Sequence, residues 1–280
     1  MNAHLSLTKR VDLVLFPSDS FNSNKTDQSE AKKSEFYHKM INQFNSKWNS
    51  EVENKWYKHR FDFFEQNLRT SLASKGRIVS TVLESISPMI IGSGDTSVLE
   101  TSLVLHRIYG VPYIPGTAIK GLTSHYCHLV LGKQDEMYQI GGKYHTAIFG
   151  SQTQAGVVEF HDAWITPDSL ANSLMLDVMT PHHQEYNSIQ VGNTSEKKAG
   201  LIAPRDDDDP VPIPFISVQG NFRFIVTCSH PGVEDQYAKQ WLRIAREILV
   251  EALKHEGVGG KTNAGYGRMK IKEANFSENR

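Results

Sequence analysis

The sequence predicts an α+β protein in which an antiparallel sheet carries two helices on one face, with a helical extension ahead of it. Three observations lead there. Residues 77–87 (Arg-Ile-Val-Ser-Thr-Val-Leu-Glu-Ser-Ile-Ser) are rich in β-branched side chains and stop at Pro88, as a strand does. Residues 234–255 place Tyr237, Trp241, Leu242, Ala245, Ile248, Leu249, Ala252 and Leu253 on one helical face, with acids at the start and Lys254 and His255 at the end. The main elements then follow the order strand, helix, strand, strand, helix, strand. That β-α-β-β-α-β succession is the ferredoxin-like arrangement.

Taken in order, residues 17–26 are polar and turn-rich, and residues 29–74 are helical. Phe36, Met40, Phe44, Trp48, Val52 and Trp56 recur every four residues. Because a helix turns once per 3.6 residues, this stripe winds around the axis and predicts two helices rather than one. After the strand at 77–87 come a turn at 92–96 and a short strand near 102–107. Residues 118–131 form a helix with Thr117 as N-cap and Gly132 as its stop. Residues 156–165 alternate like a strand. Residues 180–212 form an irregular stretch of a length that is either functional or disordered, and its run of aspartates at 206–209 reads as a solvated face. Two apolar runs, 215–218 and 221–228, meet at Gln219-Gly220 as a hairpin or a bulged strand. Residues 268–273 are the last strand. The chain is thus expected to divide into a helical extension at 1–75 and a ferredoxin-like domain at 76–280, with insertions at about 88–116 and 166–212.

Composition narrows the function. With 280 residues, 39% hydrophobic and 22% charged, the chain has enough apolar content for one large core or two modest ones. Thirty Lys and Arg against 31 Asp and Glu give a net charge of −1, so the molecule is no general polycation and any nucleic-acid binding must be local. Cys127 and Cys228 are the only cysteines, too few for a disulfide framework or a cysteine zinc site. A reducing cytoplasm is therefore expected. No export signal is expected at the N-terminus, and no segment approaches a membrane span.

The chemistry concentrates in Gly257-Val258-Gly259-Gly260-Lys261-Thr262-Asn263-Ala264-Gly265-Tyr266-Gly267-Arg268-Met269, directly after the second helix. Glycines permit positive φ and allow a large ligand to approach peptide N–H groups. Lys261 and Arg268 supply charge, Thr262 and Asn263 short hydrogen-bonding groups, and Tyr266 a ring on which a base can stack. That mixture suits RNA. Gly260-Lys261-Thr262 copies the end of a nucleotide-binding P-loop, but the required first glycine is His255, and a helix rather than a strand precedes the loop. A glycine-rich turn without a ligand is the plainer alternative. A second anion site is offered by Thr117 and Lys120, where a helix start brings unpaired N–H groups and a positive dipole end.

Two motifs in this order resemble the signature of the RAMP superfamily, RNA-binding proteins of CRISPR systems. One is the glycine loop between the second helix and the last strand. The other is Pro115-Gly116-Thr117-Ala118-Ile119-Lys120-Gly121-Leu122, similar to the proline-glycine-serine/threonine…lysine-glycine segment of its effector subunits. Within that superfamily, Ile148-Phe149-Gly150, the strand at 157–164, Asp177-Val178-Met179-Thr180-Pro181-His182-His183 and Pro214-Phe215 resemble the sixth-subunit family of type III-B (Cmr) effector complexes. The similarity runs over residues 77–272. It implies a non-catalytic subunit near the 3′ end of the guide RNA, stacked against neighbouring Cmr subunits in a complex that cuts target RNA elsewhere. It implies RNA or subunit contacts for Gly259, Gly260, Lys261, Tyr266 and Arg268, a phosphate contact for Thr117 and Lys120, and a contact to RNA or a subunit for Asp177, His182 and His183. No cofactor or metal is implied.

Three other functions fit parts of the sequence. An RNA-cleaving relative would use a histidine as acid or base, with His161, His182 and His183 as candidates among 12 histidines. A metal hydrolase would draw on His125 and His128, three apart on one helix, with Cys127 or a distant aspartate. A structural adaptor that touches only protein fits the net neutrality and the large apolar residues of the N-terminal helices, among them Trp48 and Trp56.

Overall fold

The computed structural model describes residue 3 and residues 26–72, 76–92, 103–180 and 212–273. Its elements are α1 (Thr26–Trp48), α2 (Glu51–Ser71), β1 (Ile78–Ser85), β2 (Tyr113–Ile114), α3 (Gly116–Leu129), α4 (Lys143–Phe149), β3 (Glu159–Phe160), β4 (Ala163–Ile165), β5 (Leu174–Met179), β6 (Ile213–Val218), β7 (Asn221–Thr227), α5 (Asp235–His255) and β8 (Met269–Ile271). The main sheet runs β2-β4-β7-β1-β8, with β3 also on β7, and every pairing is antiparallel. β4, β7, β1 and β8 are the four strands of the predicted β-α-β-β-α-β unit in ferredoxin-like order, and α3 and α5 are its two helices.

β1 and β7 form the spine. Ile78 faces Thr227 and Glu84 faces Asn221, a register of seven pairs in which side chains alternate between two covered faces. On one face the Arg246 Nε of α5 donates to Thr81 Oγ1 at 2.8 Å. α5 lies close because Ala238, Ala245 and Ala252, seven apart, are buried along its inner side beside Leu242, Leu249 and Leu253.

The other face, which a lone module of this fold leaves open, is closed by α2. Arg223 of β7 projects from it. Its guanidinium lies 3.7 Å from the ring centre of Phe61, pairs with Asp62 Oδ1 at 3.2 Å and Glu65 Oε2 at 3.1 Å, and reaches the Phe61 carbonyl at 3.4 Å. Ser80 of β1 also donates to Glu65 Oε2, and Tyr57 donates its hydroxyl to the Ile165 carbonyl at 2.8 Å. Burial pushes that phenol far above its usual range.

The predicted break in the N-terminal stripe falls at Asn49-Ser50. Phe36, Met40, Phe44 and Trp48 are buried on α1, whereas α2 buries Tyr57 and Phe61 instead and leaves Val52 and Trp56 exposed. The four-residue spacing cannot continue because the new helix starts at a new phase. α1 packs against a second sheet of β5 and β6, paired from Leu174–Val218 to Met179–Ile213.

Three local expectations are corrected. The strand at 156–165 is interrupted at His161-Asp162, so that β3 and β4 pair separately with β7. The N-cap of α3 is Pro115 rather than Thr117, which is the second residue inside the helix. At Gln219-Gly220 the expected hairpin does not form: β6 pairs with β5 and β7 with β1, and the chain changes sheet at Gly220 (φ +154°). All but Gly92 of the turn at 92–96, and most of the 180–212 stretch, lie outside the described residues.

Arg223→Leu should leave Asp62 without its partner and Glu65 with only Arg69 one turn along, and lower stability by on the order of 2 kcal/mol in chemical denaturation, because a half-buried carboxylate loses counter-charge. Two histidines predict a pH dependence. Burial holds His145, 4% exposed, and His161 below the usual imidazole pKa. A depressed histidine binds fewer protons folded than unfolded, so stability is full above pH ~6.5 and falls as the pH drops below it. Thermal midpoints between pH 8 and pH 5 should decline in that direction, and less steeply in His145→Gln.

Candidate nucleic-acid interface

The chain continuing from β1 sets the frame. Met89 exchanges hydrogen bonds with Val218 of β6 at 2.8 and 2.9 Å, while the carbonyls on either side point the opposite way, Pro88 to Gly267 N–H at 2.8 Å and Ile90 to Gly260 N–H at 2.7 Å. The glycine loop is docked along this segment. Its two limbs also join each other, Val258 N–H donating to the Gly267 carbonyl at 2.9 Å. A β-carbon on Gly259 would lie 2.2 Å from the Ile90 oxygen, and one on Gly267 would lie 2.0 Å from the Val258 oxygen. Both have positive φ. These glycines serve the approach of the protein to itself. The expectation that they clear space for a ligand is corrected on that point, since the Val258, Gly260 and Gly267 N–H groups are already engaged.

What the loop turns outward is its tip. Lys261 adopts φ +57° and begins a single 3-10 turn, Thr262–Ala264, that closes at Gly265. Lys261, Asn263 and Arg268 are exposed, and Thr262 and Gly260 are half-buried. Neither Lys261 nor Arg268 pairs with a carboxylate among the described residues; Lys261 Nζ lies 3.4 Å from Met179 Sδ. Arg268 is fixed through its backbone, its N–H donating to Ser87 Oγ at 3.1 Å and its carbonyl accepting from Ile86 at 2.8 Å. Two cations thus stand on a backbone that cannot retreat.

Tyr266 is less open than its position implied. Its hydroxyl donates to Asp177 Oδ2 at 2.8 Å and its ring lies 6.3 Å from Phe215. Burial first, then the Asp177 hydrogen bond and charge, push the phenol up to about 12. The structure therefore brings Asp177, Met179, Lys261 and Tyr266 together at one edge, where β5 meets the loop. His182 and His183 lie outside the described residues.

Thr117 and Lys120 are exposed on the first turn of α3, and no bond links them to the glycine loop. The backbone N–H of Gly116 is already taken by Asp162 Oδ1 at 2.7 Å. A carboxylate at the helix start satisfies one donor and offsets part of the dipole, which weakens this end as an anion site. Spacing gave no hint of that cap, which crosses 46 residues and depends on the break between β3 and β4.

The residues of the other functions are placed elsewhere. His161 donates or accepts at Thr227 Oγ1, 2.8 Å away, with the Phe64 ring of α2 edge-on at 6.1 Å. It sits beneath a helix rather than in a cleft. Cys127 is buried against the Tyr138 carbonyl, its thiol pushed up to about 11 by burial, and the ring of His128 accepts from Ile140 N–H at 3.2 Å. No group of three metal-ligating side chains occurs among the described residues.

Comparison with known proteins places this geometry. The family model of the RAMP superfamily matches residues 82–270. A protein of Pyrococcus furiosus, described as CRISPR system Cmr subunit Cmr6, is 30% identical over 250 residues, which span 71% of this chain and 70% of the relative. The chain belongs to the RAMP superfamily, in its Cmr6 family. A Saccharolobus solfataricus protein described as CRISPR system CMR subunit Cmr6 is 28% identical over 194 residues, 65% of this chain and 60% of that protein. In fold, the chain resembles a component of a structure described as the type III-B Cmr-beta bound to cognate target RNA, with TM-score 0.60 and 20% identity over 97% of this chain and 86% of that one. The resemblance carried by the 115–122 segment and the glycine loop is thereby confirmed at the level of family and fold. No helix among the described residues is long and apolar enough to cross a membrane.

Two glycine substitutions separate backbone fit from open space. Gly259→Ala must push the loop off Ile90 and should cost about 2 kcal/mol or more, whereas Gly265→Ala meets nothing within 4 Å and should cost only its positive φ, about 1 kcal/mol. Thermal denaturation of the two purified variants checks the order.

Proposed function

We propose that this chain is a non-catalytic, RNA-holding subunit of a cytoplasmic type III-B CRISPR effector complex in antiviral defence. It contacts the 3′ region of the guide RNA and neighbouring Cmr subunits, and meets target RNA only indirectly. The observation that carries the reading is the pair Lys261 and Arg268, exposed and without acidic partners on a loop whose backbone is pinned at both limbs. With the backbone already fixed, only the two side chains lose conformational freedom when a sugar-phosphate strand arrives. Thr262 and Asn263 add short hydrogen-bonding groups, Gly259 and Gly260 keep the neighbouring backbone close to the strand, and Tyr266 contributes a ring edge whose position Asp177 fixes. Thr117 and Lys120 form a second, weaker phosphate contact. His182 and His183 follow β5, whose end adjoins the loop, and are assigned to RNA or to a subunit. The description of the Pyrococcus furiosus relative as a Cmr subunit supports membership in such a complex.

The non-catalytic part of the reading draws support from His161, which is covered by α2 and held by Thr227. A general base needs access to the proton that it removes.

Lys261→Ala combined with Arg268→Ala should reduce ultraviolet crosslinking of this chain to RNA in the intact complex on the order of tenfold, with subunit stoichiometry unchanged. Unchanged crosslinking would overturn the loop assignment. RNA cleavage by the purified wild-type chain that disappears in His161→Ala or His183→Ala would overturn the non-catalytic role.

A further inference from the structure

Helix α2 is apolar on two sides. Tyr57, Phe61 and Phe64 turn toward the sheet. Val52, Trp56, His59 and Phe63 follow one another at i, i+4, i+7 and i+11, which on a 3.6-residue period share a single stripe on the opposite side. Val52 is 78% exposed, Trp56 54% and Phe63 44%. The rings are ordered: His59 stacks on Phe63 at 6.1 Å with 20° between planes, the Arg60 guanidinium lies 5.9 Å over Phe63, and Trp56 leans on Tyr109 at 5.2 Å. A stripe of this content, on a helix locked to the sheet by Arg223, is a preorganised contact surface.

The charges beside it define the partner. Lys55 falls on one side of the stripe and Arg60 on the other; both are exposed, as is Lys58, and none of the three meets a carboxylate among the described residues. Arg60 instead donates to the Tyr109 hydroxyl at 3.0 Å. At the Val52 end the flanks carry the exposed acids Glu51 and Glu53, whereas Asp62 and Glu65 further along are taken up by Arg223 on the inner side. The positive flank is therefore confined to the part of the ridge that carries Trp56 and Phe63, beside Lys55, Lys58 and Arg60. We infer that the outward ridge of α2 docks a partner protein through an apolar groove bordered by carboxylates.

An RNA strand fits this surface less well. Stacking needs open ring faces, and here Phe63 is covered by His59 and Arg60, Trp56 is flanked by Tyr109, and the crest ends in the aliphatic Val52. Helically spaced anchors suit a protein groove. The surface lies ahead of residue 82, where the family match begins, and the inference is independent of the glycine loop.

The test uses the full chain carrying Trp56→Glu and Phe63→Glu, assembled with the other subunits of its complex and recovered through a tag on a different subunit. Retention of this chain should fall about tenfold relative to wild type, as expected when aromatic anchors are lost. The free variant should keep its thermal midpoint within a few degrees, because both sites are exposed. Lys55→Glu with Arg60→Glu should give a smaller loss. In the wild-type complex, carbodiimide, which joins lysine to carboxylate, should link Lys55 or Lys58 to an acidic residue of a neighbouring subunit. Full retention of the Trp56→Glu, Phe63→Glu chain would overturn the proposal. So would photocrosslinks from Trp56 to RNA, or carbodiimide links between the α2 helices of two copies of this chain. RNA crosslinking at Lys261 and Arg268 in the same preparation reads the loop assignment separately.

Discussion

The segment that continues β1, residues 86–90, is the backbone on which the proposed interface depends. Its main chain is used on both edges: Met89 bonds outward to β6, and Pro88 and Ile90 bond to the glycine loop. A strand used in this way fixes two elements relative to each other with no side chain involved. It brings the end of β5, with Asp177 and Met179, against Tyr266 and Lys261, although 82 residues separate Met179 from Lys261 along the chain. The glycine requirement follows from the same pairing, because two peptide backbones approach more closely at Gly259 and Gly267 than a β-carbon allows.

α2 has the complementary effect of removing a surface. RNA-binding modules of ferredoxin-like topology expose a sheet face on which bases stack. Here Arg223, the residue of β7 best placed to meet a phosphate on that face, is committed to Asp62, Glu65 and Phe61. With net charge near neutrality and the sheet covered, cationic character survives in local places. The loop tip is one, and the flanks of α2 are another.

Asp162 and Asp177 show how tertiary contacts adjust sites that local sequence proposes. Each carboxylate takes a hydrogen bond from a group assigned to ligand contact, the Gly116 N–H in one case and the Tyr266 hydroxyl in the other. The α3 start loses part of its pull on anions, whereas Tyr266 gains a fixed orientation. The same residue type thus weakens one candidate contact and steadies the other.

Much of the architecture was legible in the chain. β-branched density gave β1, the apolar face from Tyr237 to Leu253 gave α5, and the drift of a four-residue spacing gave the break between α1 and α2. These signals are local, since periodicity and propensity act over a few residues. The motif order around Pro115 and the glycine loop sufficed to place the family. What the sequence could not express was which groups meet across long separations: the Asp162 cap, the change of sheet at Gly220, the Arg223 clamp and the loop pinned on residues 86–90. Hydrogen bonds and close backbone approaches carry no period, and only the folded chain decides which donors they consume and which cations they leave facing water.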